Sequence, residues 1–131
     1  MKRVVVGLVR KKSVSGEDTY LLVRAKKDFG RFTGHYYPPG GHVEEGESEE
    51  DCLARELKEE VGLEVVSCRK MTESAGDVPD QITSWYACDV KCFELTVDTD
   101  ELDDAGFFSK REMGKMKIWP ATRNFFETHV F

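Results

Sequence analysis

The sequence predicts a single α/β domain over residues 1–131, and three observations predict it. Short runs of β-branched and aliphatic residues recur, one capped segment of helical period is free of Gly and Pro, and the length suits one core. Residues 3–10 and 19–25 are the first such runs and read as strands, with the polar stretch 12–18 between them as a hairpin connection. From Asp28 to Gly41 the chain mixes Gly, Pro and aromatic residues without a regular period, which predicts a shaped loop. Ser48, with Asp51 three residues on, opens a helix over 49–61, and Gly62 closes it. Two longer strands follow at 64–74 and 81–95, joined by a turn through Gly76, Asp77, Pro79 and Asp80. Phe107 and Phe108 mark a further short strand. Pro120 suits the first turn of a closing helix that runs to His129 with Phe125 and Phe126 inward.

With 40% of residues apolar and 34% charged, the composition is that of a globular domain and excludes a disordered or membrane-embedded chain. The early apolar run, Val4 to Val9, is followed at once by Arg10, Lys11 and Lys12 and is too short for a secretory signal or a membrane span. A cytoplasmic location is the expectation. Cys52, Cys68, Cys88 and Cys92 form no CxxC pair and are expected to be buried thiols. The net charge of -6 speaks against a nucleic-acid polymer or a membrane surface as partner. That sum hides a division: residues 1–40 carry nine Lys/Arg against three Asp/Glu, and residues 41–63 carry two against nine. So acidic a stretch is either a solvated face or a cation site.

On the predicted helix, Leu53, Leu57 and Val61 stack as a core-facing stripe. Glu56, Glu59 and Glu60 fall within about a 100° arc bordering that stripe. Like charges so placed repel, increasingly as the site dries. Arg55 and Lys58 are expected to point elsewhere and to leave the three acids uncompensated. A hard divalent ion, Mg²⁺ or Mn²⁺, prefers such oxygen ligands and is commonly shared with substrate phosphates.

Reading outward from the helix, the chain shows Gly41, five residues, Glu47, seven residues, then Arg55-Glu56-Leu57-Lys58-Glu59-Glu60-Val61-Gly62-Leu63. This resembles the full Nudix box, with each specified position filled. Seven fixed and two apolar positions coincide by chance on the order of once per billion starting points. The resemblance implies an α/β/α sandwich around a mixed sheet. It also implies hydrolysis of a nucleoside diphosphate linked to another moiety X, by Mg²⁺- or Mn²⁺-assisted attack of water on a phosphoanhydride bond. It makes Glu56, Glu59 and Glu60 the metal ligands and the catalytic acids, gives Gly40 a carbonyl contact to the metal, and pairs Arg55 with Glu47 as structural support. For the base the resemblance leaves a box glutamate or a carboxylate on the loop 98–104; on that loop Glu101 is the first candidate, with Asp104 as its neighbour, or else both are solvated loop acids. His35, Tyr37 and His42 on the glycine–proline loop are candidate substrate contacts, or else solvated or core side chains. Tyr36, Phe32 and Trp85 could stack on a base, with Trp85 better suited to the core.

The substrate class that fits so compact a domain is a nucleoside triphosphate, standard, oxidised or otherwise non-standard, cut to a monophosphate and pyrophosphate. Pro79, sixteen residues after Leu63, resembles a placement in ADP-ribose pyrophosphatases and gives the alternative, an ADP-ribose or nucleotide-sugar pyrophosphatase. A remote alternative is a non-catalytic nucleotide-binding module, which would be expected to have lost box acids. A small-molecule nucleotide is the implied partner, with the chain a monomer or a homodimer.

Overall fold

The computed structural model describes residues 1–131. Strand β1 covers Lys2–Leu8, β2 Arg10–Lys12, β3 Asp18–Ala25 and β4 Gly40–His42. Helix α1 covers Glu49–Val61, and strands β5, β6 and β7 cover Val65–Ala75, Gln81–Val90 and Leu102–Ser109. Helix α2 is the single turn Lys110–Met113, and α3 covers Pro120–His129.

These strands form two sheets. The larger, in the order β4-β1-β6-β5, is mixed, with β1 parallel to β6 and the other pairs antiparallel. The smaller, β2-β3-β7, is antiparallel. Alternate side chains of the strands feed two cores. Val5, Leu21, Val23, Tyr86 and Cys88 pack with Leu53, Leu57 and Val61 of α1, whereas Val6, Tyr20, Leu22 and Trp85 pack with Phe125 and Phe126 of α3. The sheets therefore lie between α1 and α3, which is the α/β/α arrangement expected.

Helix α1 starts and stops where its local chemistry says it should: the Ser48 hydroxyl accepts from the Asp51 N–H at 3.0 Å, and Gly62 ends it at φ 71°. The closing helix has Pro120 in its first turn and buries Phe125 and Phe126.

Several expectations are corrected. The first predicted strand breaks at Val9, and the chain passes there from one sheet to the other, so the hairpin partner of β3 is β2 and not β1. Strand β6 stops at Val90, so Cys92 lies outside it and is exposed; all four cysteines are free thiols, but only Cys52 and Cys88 are buried. The strand marked by Phe107 and Phe108 begins earlier, at Leu102. The glycine–proline loop contributes β4, held to β1 through Val5↔Gly41 and Val6↔Gly40. No helix is long and apolar enough to cross a membrane.

Candidate active site

Strand β4 and helix α1 build the acidic side of the site together. The backbone N–H of Gly40 donates to Glu60 Oε2 at 3.1 Å. A Cβ at Gly41 would stand 2.5 Å from Glu56 Oε1 and 2.8 Å from Oε2, so only glycine lets the Glu56 carboxylate lie against this strand. At Gly40 a Cβ would collide with the Val5 carbonyl oxygen, since β4 presses on β1 there.

The three box acids have unequal surroundings. Glu60 is pushed up to about 8, first by burial and then by the nearby Glu56 charge, with the Gly40 N–H pulling the other way and Glu101 and Glu59 adding to the rise. Glu56, with 17% of its side chain exposed, is raised chiefly by burial, although Arg55 opposes this. Glu59 has 58% of its side chain exposed.

Arg55 is the organising cation. Its Nε donates to Glu47 Oε2 at 2.8 Å and its Nη2 to Glu47 Oε1 at 3.0 Å, a two-pronged grip that ties the loop to the helix. Its hydrogen bonds hold Glu47 down at about 2. The same guanidinium reaches Glu56 at 3.0 Å and Glu59 at 3.4 Å, which corrects the expectation that Arg55 turns away from the acids. The long side chain folds back over its own turn, and only Glu60 stays beyond its reach.

No three His, Cys, Asp or Glu side chains close into a cage around one point. Arg55 pairs with Glu56 and Glu59, and Glu60 lies apart on the Gly40 N–H. The donor set nevertheless fits an oxygen-seeking divalent cation. It is wholly carboxylate, Glu56 and Glu60 lie against Gly41 and Gly40, and Glu60 is a half-buried carboxyl without a cationic partner.

The other predicted residues separate clearly. Glu101 lies just ahead of β7, where its charge acts on both Glu60 and Tyr37. Asp104 is not free, because the Tyr36 hydroxyl donates to its Oδ2. Tyr36 itself belongs to the α3-side core and not to the site. Tyr37 pairs with Val23 and feels the charges of Glu60, Glu101 and Glu56; with burial, these raise its phenol far above the ordinary value. His42 is exposed and borders the cleft described next, whereas His35 does not. Phe32 stacks on Trp119, and Trp85 lies in the core against Phe125 with ring centroids 4.3 Å apart.

A cleft of about 890 Å³ opens beside these groups, in the size range that holds a nucleotide. Gly40, Gly41, His42 and Tyr37 line it on the acidic side, and Phe29, Trp119 and Lys27 provide an aromatic and basic wall. Trp119, Phe29 and Lys27 were not singled out from sequence; a tryptophan directly before the helix-opening Pro120 was the only signal available. Asp77, from the turn between β5 and β6, also lines the cleft and accepts the Ala121 N–H at 3.0 and 3.2 Å, closing the first turn of α3 from 44 residues away.

Comparison with known proteins bears on the family and the fold. The NUDIX domain family matches residues 1–129. The NAD-capped RNA hydrolase NudC of Pseudomonas putida is 32% identical over 100 residues, 76% of this chain and 35% of that protein, so the chain spans about a third of the curated relatives it matches. The MutT NUDIX hydrolase from Burkholderia pseudomallei superimposes with a TM-score of 0.80 at 19% identity, covering 98% of both chains. The NUDIX domain of Shewanella oneidensis NrtR, solved in complex with ADP ribose, gives 0.81 at 17% identity over 95% of this chain and 83% of that one. At such identities the two structures speak for the fold alone, but the family match spans nearly the whole chain, and this protein belongs to the Nudix hydrolase family.

Proposed function

We propose that the 131 residues act as one Nudix domain that hydrolyses a phosphoanhydride bond in a nucleoside diphosphate linked to X, with a nucleoside triphosphate as the preferred class, giving a monophosphate and pyrophosphate. The observation that carries this reading is the cleft, which sets an aromatic and basic wall suited to a base and ribose beside the Gly40–Gly41 strand and its carboxylates. Glu56, Glu59 and Glu60, with the Gly40 carbonyl, would hold the divalent ion, Mg²⁺ or Mn²⁺. When bound, it would neutralise phosphate charge and acidify water. Arg55 and Glu47 keep the helix and loop in register, so that the acids present a fixed set of oxygens. Glu101, exposed and facing Glu60, takes the proton from the attacking water, and Tyr37 and His42 contact the substrate beside it.

A second reading, an ADP-ribose or nucleotide-sugar pyrophosphatase, is favoured by Pro79, which lines the same cleft, and by the ADP ribose bound to the NrtR domain of the same fold. Hydrolysis by the purified protein, with Mg²⁺ and then Mn²⁺, separates the two. The panel is standard and 8-oxo nucleoside triphosphates, ADP-ribose, nucleotide sugars, dinucleoside polyphosphates and an NAD-capped oligoribonucleotide. Pyrophosphate with a monophosphate supports the first reading, and AMP with ribose 5-phosphate supports the second. Glu59→Gln should lower the rate by at least two orders of magnitude and leave stability unchanged to about 0.5 kcal/mol, because the residue lies at the surface. A fully active, normally metal-dependent Glu59→Gln enzyme would refute the site. Absence of any turnover in the wild type would favour a binding module.

A further inference from the structure

The loop from Asp98 to Asp104 carries five carboxylates, and three of them are engaged. The Asp98 side chain accepts the Asp100 N–H at 3.0 Å and folds the loop into a turn. Asp103 accepts from Arg24 Nε at 2.6 Å, and Asp104 accepts from the Tyr36 hydroxyl. Asp100 and Glu101 keep unpaired side chains, and of these two it is Glu101 whose charge reaches Glu60 and Tyr37.

The backbone seats this loop from both ends. The Thr96 N–H donates to the Val61 carbonyl at 2.9 Å and the Asp98 N–H to the Glu60 carbonyl at 2.8 Å, so the incoming chain takes up carbonyls that α1 leaves open at its end. On the outgoing side the Lys26 N–H donates to the Glu101 carbonyl at 3.0 Å. Between these ties the ladder of β3 and β7 changes register: Arg24 faces Asp104, Ala25 faces Leu102, and Asp103 is the extra residue. Such a bulge bends its strand, and beside a site it re-aims a side chain. The extra residue has no ladder partner of its own, and Arg24 supplies one from the opposite strand. The same guanidinium lies over the Tyr36 ring at 5.2 Å, so one cation and one phenol hold both acids of the bulge.

We propose that Arg24 and Asp103 are positioning residues: their pair locks the bulge and thereby sets the Glu101 carboxylate opposite Glu60. The proposal rests on the reading of Glu101 as the proton acceptor in the proposed hydrolysis. Proton transfer asks more of position than folding does. With 34% and 42% of the two side chains exposed, the pair adds little to stability, whereas a small displacement of a reacting group costs about tenfold to a hundredfold in rate.

The test is a double-mutant cycle of Arg24→Met with Glu101→Gln on the full chain, read as kcat and KM for the nucleotide that is cut fastest. Arg24→Met keeps the apolar stem and removes the grip. Alone it should lower kcat about tenfold and leave KM within about twofold, and in the Glu101→Gln background it should change neither. Asp103→Ala should do the same. An equal fall in both backgrounds, or no fall, overturns the proposal, as does a Glu101→Gln enzyme as fast as the wild type. Lys12→Gln breaks an exposed ion pair at the other end of β3 and should leave kcat unchanged; a similar fall there would mark a general loosening of β3 and also overturn it.

Amide exchange of the metal-free protein reads the seat of the loop without turnover. The Lys26 N–H should exchange about tenfold faster in Arg24→Met, with the amides of α1 unchanged; the same rate at Lys26 in both proteins overturns the proposal. The two readings fail separately. A wild type that hydrolyses no nucleotide defeats the proposed function while exchange still shows whether Arg24 seats the loop, whereas an active enzyme indifferent to Arg24→Met defeats only the positioning.

Discussion

Replacing Glu60 with Gln removes a charge that the fold has little means to hold. Burial and Glu56 push the Glu60 carboxyl up to about 8 from its ordinary 4.5, and the Gly40 N–H is its one hydrogen-bond partner. The folded state therefore keeps a proton that the unfolded chain gives up near pH 4.5. Between that pH and about 8 the native state binds more protons, so stability must fall as pH rises through this window, with no effect below it. At about 1.4 kcal/mol for each pH unit between the two values, the ceiling is about 5 kcal/mol. Partial access of water to the carboxylate reduces this to about 1–2 kcal/mol. With an unfolding entropy of about 2.1 cal/mol/K per residue, that is a fall in Tm of about 4–7 °C. The assay is thermal unfolding of wild type and Glu60→Gln from pH 5 to 9 in the presence of a chelator. The wild type should lose that much relative to the variant toward the alkaline end. Mg²⁺ should restore the wild type most at high pH, where it no longer competes with the proton, and should do nothing for Glu60→Gln beyond its general salt effect. Parallel profiles for the two proteins, with or without Mg²⁺, would refute the assignment of Glu60 as an uncompensated buried acid.

Two further substitutions probe the scaffold. Gly41→Ala should fold but lose activity by at least tenfold, because its methyl group displaces the Glu56 carboxylate, a flexible side chain. Gly40→Ala should fail to fold or unfold at much lower temperature, because its methyl group meets the Val5 backbone; soluble expression, circular dichroism and rate measurements on both separate the cases. Arg55→Ala should lower both Tm and kcat/KM, the latter by tenfold or more, since Glu47, Glu56 and Glu59 lose one shared partner; a fall in Tm with unchanged kinetics would confine Arg55 to support of the fold.

What was legible in the sequence was local. The Ser48 cap, the Gly62 stop and the Leu53–Leu57–Val61 stripe act within one helix, and their spacing contains their geometry. The break at Val9 was hidden because β1 and β2 form one unbroken run, and the switch of sheet depends on partners far along the chain: Gln81–Ala87 for β1 and Asp18–Tyr20 for β2. Arg55 was misjudged because helical angles give the direction of the Cα–Cβ bond, whereas a guanidinium ends several rotatable bonds away. Half of the cleft was invisible for the same reason of distance. Phe29 and Trp119 are 90 positions apart, as Asp77 and Ala121 are 44 apart, and no period or motif links either pair.

Glu49 and Glu60 show how the fold divides its acids between structure and function. They lie on one helix, each largely withdrawn from water, and they shift in opposite directions. At Glu49 burial works against the charge, but it is outweighed by the Tyr86 hydroxyl at 2.7 Å, Lys70 at 3.1 Å and the Ser84 hydroxyl at 2.9 Å, which hold the carboxyl down at about 2; Arg3 adds an ion pair at 2.9 Å. Its contribution to stability is therefore full above about 4.5 and is lost as pH falls toward 2. Glu49→Gln should cost about 1–3 kcal/mol at pH 7, progressively less below pH 4, and should leave metal dependence as it was. Glu60→Gln should do the reverse, stabilising the metal-free protein above neutral pH and abolishing metal-dependent turnover. Unfolding and rate measurements on the two variants, side by side, decide the matter. If Glu49→Gln stabilised the protein at pH 7, or if both variants lost stability in the same pH range, then burial without a cation would not be what distinguishes the acid kept for chemistry from the acid that holds the helix to the sheet.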